Sequence, residues 1–341
     1  MKCLVILGTR PEAIRLYHTI KELNPYKIFW TGQNFSKNLS TDIIQDPRFD
    51  NIYKDMVLSS IEETDFFQQF TKMLLNIDSF IKQCSPDKIL ILGDTNSSLA
   101  AALAAKKNDI PLYHMEAGNR CYNPKSPEEI NRRMIDSIAD VHLCYTKFAK
   151  QNLLNEGVPL NKIHVIGNPM AEFPELHSYD TKEKSQVLVT LHRKENEEYL
   201  PNLLNFFNSL NSKVKVKLVL HPRYYKFFTE KFTDVVPSVN FSDFVKLQQE
   251  SSLIITDSGT VCEEAAILKK PCLIIRETTE RPELLELGST ILGDIKNTDN
   301  LLSSSDALLN LTRDWDLPDE YKYQKVSKKV KTILLSKQNY I

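Results

Sequence analysis

Ionisable side chains are densest between positions 114 and 132, where the chain reads His114-Met-Glu-Ala-Gly-Asn-Arg-Cys-Tyr-Asn-Pro-Lys-Ser-Pro-Glu-Glu-Ile-Asn-Arg132. Carboxylates and guanidiniums set this close together suit proton transfer beside a charged substrate. Glu116 closes the apolar run Pro111 to Met115, which puts it at the carboxyl end of a short buried strand, the edge where open α/β sheets keep their ligands. Gly118 to Pro127 must be loop. Ser126-Pro-Glu-Glu129 then reads as a helix start, with serine as cap, proline at the first helical position and acids in the first turn. Glu116 and Glu128 therefore stand on opposite sides of one loop and can face a common cleft. Read alone, Pro-Glu-Glu does no more than complement a helix dipole.

Other stretches follow apolar runs in the same way. Gly8-Thr-Arg-Pro-Glu-Ala-Ile-Arg15 opens a helix after the first run and sets backbone amides and Arg10 at a positive helix terminus suited to an anion. Gly93-Asp-Thr-Asn-Ser-Ser ends the run Lys88 to Leu92, where Asp94 reads locally as an N-cap or turn residue. Leu191-His-Arg-Lys-Glu195 and Leu220-His-Pro-Arg223 each place a histidine directly after a strand. One such histidine is more often structural than functional; a pair facing one cleft, His192 and His221, suits an anionic ligand, with His192 the better candidate for phosphates or a leaving oxygen. The longest stretch is Ile255-Thr-Asp-Ser-Gly-Thr-Val-Cys-Glu-Glu-Ala266, continuing from Lys270 through Arg281 to Glu283. A strand, a turn at Ser258, Gly259 and Thr260, and a helix offer N–H groups to a diphosphate, and Glu264 can accept from ribose hydroxyls.

The elements that must carry these groups are legible as alternation. Runs of strand length, Lys2 to Leu7, Lys27 to Thr31, Lys88 to Leu92, Pro111 to Met115, Val141 to Tyr145 and Ile163 to Ile166, are separated by helical patterns, which predicts a parallel, doubly wound sheet. The pattern restarts with Val187 to Leu191, Val216 to Leu220, Leu253 to Thr256 and Cys272 to Ile275. The expected fold is α/β, two Rossmann-like domains with an active-site cleft between them: 1–170 with the carboxylates, 171–318 with the two histidines and the Ser-Gly turn, and a terminal helix from about 319 that packs back on the first. With 341 residues the chain can bury a large core.

Lys and Arg total 43 against 44 Asp and Glu, a net charge of −1, so no global field attracts nucleic acid or an anionic membrane. Any phosphate must be held locally. The apolar run before Gly8 is too short for a signal segment and no later run approaches a membrane span, so a cytoplasmic protein without nucleic-acid or membrane partners is expected. The six cysteines form no Cys-x-x-Cys pair, which argues against zinc or a redox site. Cys121 reads as a small packing residue next to the reactive loop.

The order strand, Glu-Ala-Gly, loop with arginine, Pro-Glu-Glu-x-Asn-Arg, together with the stretches at Gly8, Gly93, Leu191 and Ile255 to Glu283, resembles the non-hydrolysing UDP-N-acetylglucosamine 2-epimerases over most of the chain. The resemblance implies a glycosyltransferase-B type fold, a UDP-sugar partner, a homodimer, and no cofactor or metal. It implies that Asp94, Glu116 and Glu128 are the acid/base residues, with mutual repulsion raising the pKa of at least one, and that His192 takes part on the phosphate side. Arg10, Arg15, Asn119, Arg132, His221, Phe244, Ser258, Gly259, Thr260, Glu264 and Arg281 are the expected substrate ligands, Phe244 beside the uracil. Arg15 stands where the family often has lysine. A glycosyltransferase of the same fold would need an acceptor cleft and no set of three carboxylates. Two departures stand out: Thr31-Gly-Gln-Asn34, which puts the family's allosteric site in doubt, and Gly118-Asn-Arg-Cys-Tyr122 in place of the family's usual Gly-Leu-Arg-Thr-Gly. They are similar to the sub-group acting on UDP-2-acetamido-2,6-dideoxy-L-hexoses.

Overall fold

Strands buried on both faces need side chains that are apolar at every position rather than at alternate ones. Cys3–Leu7 meets that demand, with all five residues buried, and so do Leu112–Met115 and Leu253–Thr256 apart from a histidine and a threonine that are buried as well. In the computed structural model of the chain, which describes residues 1–25, 27–33, 49, 53, 56–59, 61, 65–178 and 185–336, such strands form the centres of two separate parallel sheets. Two units divide the chain, Met1–Glu172 with Gln324–Ile341, and Phe173–Tyr323.

The first unit carries β1 (Cys3–Leu7), β2 (Lys27–Trp30), β3 (Val57–Leu58), β4 (Lys88–Leu92), β5 (Leu112–Met115), β6 (Val141–Cys144) and β7 (Ile163–Val165) in the order β3-β2-β1-β4-β5-β6-β7. Its core joins Leu4, Ile6, Ile89 and Ile91 to Met73, Ile77 and Ile81 of the helix Phe66–Cys84 and to the alanines of Asn96–Lys107. Those alanines matter because a helix with short side chains can lie between two neighbours, here Phe66–Cys84 and Pro127–Ile138. The direction of winding reverses between β1 and β4, which opens a crevice beyond their carboxyl ends.

The second unit carries β8 (Gln186–Leu191), β9 (Lys215–Leu220), β10 (Val235–Pro237), β11 (Leu253–Thr256), β12 (Cys272–Ile274) and β13 (Thr290–Leu292) in the order β10-β9-β8-β11-β12-β13. Phe206, Phe207 and Phe228, from the helices Leu200–Asn211 and Pro222–Thr229, fill its core against Val187, Val189 and Leu218. Here the reversal falls between β8 and β11. Both units are Rossmann-like α/β sheets.

Three strands, β3, β10 and β13, go beyond the sequence expectation, and each lies at a sheet edge. An edge strand of two or three residues has one neighbour and little burial, so it leaves no apolar run to read. The terminal helix is also shorter than expected: Asp319–Tyr321 is a single 3-10 turn after Pro318, and the helix proper is Val326–Leu335. It packs on Arg10–Leu23 within the first unit. Glu172 accepts from Ser327 N at 2.8 Å and Ser327 Oγ at 2.6 Å, a carboxylate at the helix's positive end, while Lys88 Nζ donates to the Leu334 carbonyl at the other. Among the described residues no helix is long and apolar enough to cross a membrane.

Candidate active site

Glu116 directly follows β5 with φ of 69°, a left-handed conformation that a glutamate adopts only under constraint. The constraint is visible in its partners. Arg15, on the first helix, donates from Nη1 to Oε2 at 2.6 Å and from Nη2 to Oε1 at 3.1 Å, and Asn119 Nδ2 reaches Oε1 at 3.3 Å. Gly93 is pressed close on the other side: a Cβ there would stand 3.2 Å from Glu116 Oε2.

Asp94, one residue after that glycine, keeps a quarter of its side chain exposed and is held by Arg132, which donates to Oδ2 from Nε at 3.1 Å and from Nη2. The structure thus sets Asp94 and Glu116 each against a guanidinium, where mutual repulsion among three carboxylates was expected. Arg15 and Arg132, expected as substrate ligands, have carboxylate partners of the protein here. Glu128, half-buried, accepts from Ser126 Oγ at 2.9 Å. Its neighbour Glu129 was not singled out from sequence. It is buried and collects the Cys121 amide at 3.0 Å, Arg132 Nη1 at 2.9 Å and Arg133 Nε at 3.2 Å. Burial pushes its carboxyl up, but the Cys121 amide and Arg132 outweigh that and hold it below the usual range. Cys121 is therefore a linker between loop and helix.

The turn after β1 departs from the anion-site expectation. Gly8 N and Thr9 N donate to Glu12 Oε2 at 2.7 and 2.8 Å, completing a capping box, and Thr95 Oγ1 donates to Glu12 Oε1 at 2.7 Å. Those two amides already serve an internal carboxylate. Burial pushes the Glu12 carboxyl above its ordinary value despite these donors. Just past β2 of the same sheet, Thr31 Oγ1 pairs with Ser97 Oγ at 2.6 Å and Gln33 Oε1 accepts from Ser97 N at 2.9 Å; Asn34 lies outside the described residues.

In the second unit the organising group is Asp257, fully buried after β11. It accepts from the backbone of His192 at 3.1 Å and Arg193 at 2.9 Å, from Asn196 Nδ2 at 3.0 Å, and pairs with His192 Nδ1 at 2.7 Å. Burial alone would raise its pKa, but His192 and the two amides outweigh that and hold it below the ordinary value. His192 keeps an exposed ring whose Nδ1 is fixed, which leaves Nε2 for chemistry. His221 is used differently. Its Nδ1 accepts from Arg223 N at 3.2 Å, capping Pro222–Thr229, and burial, with Arg223 and His192 close by, presses its pKa below the ordinary value.

Ser258 caps the helix Gly259–Ile267, accepting from Val261 N at 3.4 Å, and no acidic residue stands in that helix's first turn, which Thr260 shares. A Cβ on Gly259 would meet Glu280 Oε1 at 2.6 Å, so the residue must be glycine while that carboxylate, bound by Arg276 at 2.9 Å, stays in place. Glu264 is buried and accepts from Gln248 Nε2 at 2.6 Å, so one of its oxygens already has a protein donor. Arg281 is buried on Glu263, and Phe244 is half-buried on the helix Phe241–Gln249. Arg10 is the first residue of its helix, half-buried.

A family model described as UDP-N-acetylglucosamine 2-epimerase matches residues 19–335. The UDP-N-acetylglucosamine 2-epimerase of Methanococcus maripaludis is 34% identical to the chain over 345 residues, covering 92% of it and 93% of the relative. The UDP-2,3-diacetamido-2,3-dideoxy-D-glucuronate 2-epimerase of Pseudomonas aeruginosa is 34% identical over 314 residues, covering 86% and 88%. A crystal structure of the Methanocaldococcus jannaschii UDP-GlcNAc 2-epimerase in complex with UDP-GlcNAc and UDP matches with a TM-score of 0.88 at 33% identity, over 98% of this chain and 99% of that one. A family match of that span, with relatives covered almost end to end, shows that the chain belongs to the UDP-N-acetylglucosamine 2-epimerase family and is an isomerase, a UDP-sugar 2-epimerase.

Proposed function

We propose that the chain inverts C2 of a UDP-2-acetamido-2-deoxyhexose by elimination and re-addition of UDP. A carboxylate of the first unit takes the C2 proton; the C–H electron pair becomes the C1=C2 bond while the C1–O bond breaks and its pair leaves on the β-phosphate oxygen of UDP. The 2-acetamidoglycal then receives a proton on the opposite face of C2, and the same phosphate oxygen bonds C1 again. Asp94, Glu116 and Glu128 are the acid/base groups. The observation that carries this reading is the placement of Asp94 and Glu116 after the adjacent strands β4 and β5, at the carboxyl edge of the sheet, each with an arginine as counter-charge.

UDP belongs to the second unit on this reading. The amides at Gly259 and Thr260 receive the diphosphate at a helix start without an acid of its own, while the Ser258 amide is held by Thr256 Oγ1 at 2.9 Å and shapes the turn. His192 offers Nε2 to the leaving oxygen, and Glu264, Phe244 and Arg281 line the nucleoside side. Turnover in deuterated water tests the mechanism: deuterium should appear at C2, and retention of the original hydrogen through complete equilibration would rule out elimination.

The preferred substrate on this reading is a UDP-2-acetamido-2,6-dideoxy-L-hexose. Support comes from the loop Gly118 to Tyr122, which departs from the family's usual sequence and whose Asn119 amide touches the carboxylate of Glu116, one of the proposed acid/base groups. UDP-N-acetylglucosamine is the second reading, favoured by the name of the Methanococcus maripaludis relative. A site that hydrogen-bonds a primary hydroxyl strongly rejects a 6-deoxy sugar, whereas a site built for a methyl discriminates less against an added hydroxyl. Comparing kcat/KM for the two classes decides, and a clear preference for UDP-N-acetylglucosamine overturns the first reading.

A further inference from the structure

Asp94 and Glu116 stand on separate connections, and an acid/base pair divided between two loops works only if one loop is fixed against the other. Behind them lies a buried ion cluster. His114, the third residue of β5, is fully buried, with Nδ1 2.8 Å from Asp136 Oδ1 and Nε2 2.8 Å from the Gly93 carbonyl oxygen. A carboxylate and a carbonyl are both acceptors, so the ring donates from both nitrogens. Asp136, on Pro127–Ile138, accepts at its other oxygen from Gly118 N at 3.0 Å and Arg120 Nη1 at 2.8 Å. Arg120 in turn donates to the Asn119 carbonyl at 2.7 Å and is clasped by Glu156, with Nε to Oε1 at 2.8 Å. One carboxylate is thereby tied to the peptide that precedes Asp94 and to the segment that follows Glu116.

The segments so tied turn through left-handed backbone. Gly93, Glu116 and Gly118 all have positive φ, of 76°, 69° and 82°. Gly118 is wedged as well, since a Cβ there would fall 2.2 Å from the Ala149 carbonyl oxygen. The two glycines adopt this conformation at little cost, but a glutamate persists in it only where the surroundings over-determine it. Burial would raise the Asp136 carboxyl, but the charges of His114 and Arg120, with His142 beyond them, hold it well below the ordinary range, so it remains an acceptor at working pH.

We propose that Asp136 and His114 are positioning residues of the epimerase reaction: the pair locks the Gly93–Asp94 turn to the Glu116–Arg120 loop and so sets the spacing of the two reacting carboxylates. The inference rests on Asp94 and Glu116 being the acid/base groups, as proposed above. Neither His114 nor Asp136 needs to touch the sugar, so their loss should slow the chemical step without weakening substrate binding.

The test uses the full chain and the UDP-2-acetamido sugar that the parent turns over, with kcat, KM, deuterium uptake at C2 and Tm measured for His114→Asn, His114→Gln, Asp136→Asn and Asp94→Asn. Asparagine reaches the Nδ1 position and keeps Asp136 while releasing Gly93; glutamine reaches the Nε2 position and does the reverse. Expected for all three network variants is a kcat lower by about 10- to 100-fold, in step with deuterium uptake, and KM within about threefold of the parent. Parental kcat in both folded His114 variants, or a loss confined to KM or Tm, overturns the positioning role. Should Asp136→Asn not fold, the His114 pair decides alone. If Asp94→Asn turns over at the parental rate, the acid/base reading has failed and the inference with it; an inactive Asp94→Asn beside active His114 variants fails the positioning role only.

Discussion

The two units share a winding pattern and part company in what they present at its reversal. Beyond β4 and its neighbour β5 the first unit offers carboxylates backed by arginines, Asp94 on Arg132 and Glu116 on Arg15. Beyond β8 and β11 the second offers an exposed histidine and a helix start with no acid in its first turn. Each also seals one strand-end turn with a buried acid, by different routes: Glu12 caps the amides of its own helix start, while Asp257 crosses from β11 to hold the amides after β8. Topology supplies the crevice, and residue type at its rim decides whether the crevice moves protons or holds an anion.

Removing the proposed proton carriers should break this division most visibly. Asp94→Asn and Glu116→Gln are each expected to cost at least about 100-fold in turnover while UDP binding stays near parental, as for general acid/base groups. Steady-state rates beside calorimetric UDP titrations check it. Loss of UDP affinity equal to the loss of rate would erase the distinction between the units.

Asp257→Asn attacks the second crevice from behind. The variant leaves the His192 and Arg193 amides with a weaker acceptor, and a cost of about 1–3 kcal/mol in denaturant unfolding is expected. The sign of the pH effect follows from the depressed carboxyl. Its stabilisation is fully present above the unfolded value and is lost as pH falls through the folded one, so parent and variant should converge in acid. Divergence in acid would point to another group.

Gly259→Ala acts on the helix start itself. The new methyl must displace Glu280 Oε1 from 2.6 Å, and that carboxylate is anchored by Arg276. A roughly tenfold weaker UDP affinity, about 1.4 kcal/mol, is expected with the deuterium-uptake rate at saturating substrate little changed. Unchanged affinity in a folded variant would move the diphosphate elsewhere.

How much of this could be read from the chain depends on range. Central strands announce themselves because burial on both faces demands uninterrupted apolar residues, and from their ends the positions of Asp94, Glu116, His192 and Ser258 follow. The edge strands β3, β10 and β13 leave no such run. The partners that orient the site are hidden for another reason: Asp257 meets His192 across 65 residues and Arg15 meets Glu116 across 101, and no local pattern encodes either pairing. Glu12 was legible in principle, since Thr9 and Glu12 have capping-box spacing, and the same spacing shows why the two amides it takes are unavailable to a ligand. His114 and Asp136 lie on a strand and a helix whose apolar patterns they merely interrupt.

The smallest effect, and the finest test of how the first crevice is sealed, belongs to Glu12→Gln. Glu12 Oε2 takes the Gly8 and Thr9 amides, and Oε1 takes the hydroxyls of Thr95 and, at 3.3 Å, Ser98. Hydroxyls can turn to accept, so a glutamine oxygen can serve the amides while its NH2 donates to them, and the change at neutral pH should stay within about 1 kcal/mol. The pH profile separates the two chains better. Burial raises the Glu12 carboxyl, so the folded parent binds this proton more tightly than its unfolded chain does. The contribution of Glu12 to parental stability is therefore fully present below the unfolded carboxyl value and is lost as pH rises through the folded one. Glutamine has no such proton, and relative to the variant the parent should lose ground across that window in urea titrations from about pH 4 to about pH 8. An identical decline in both chains would assign it to another buried carboxyl, and Glu283 of the second unit, also raised by burial, is where the same substitution should be tried.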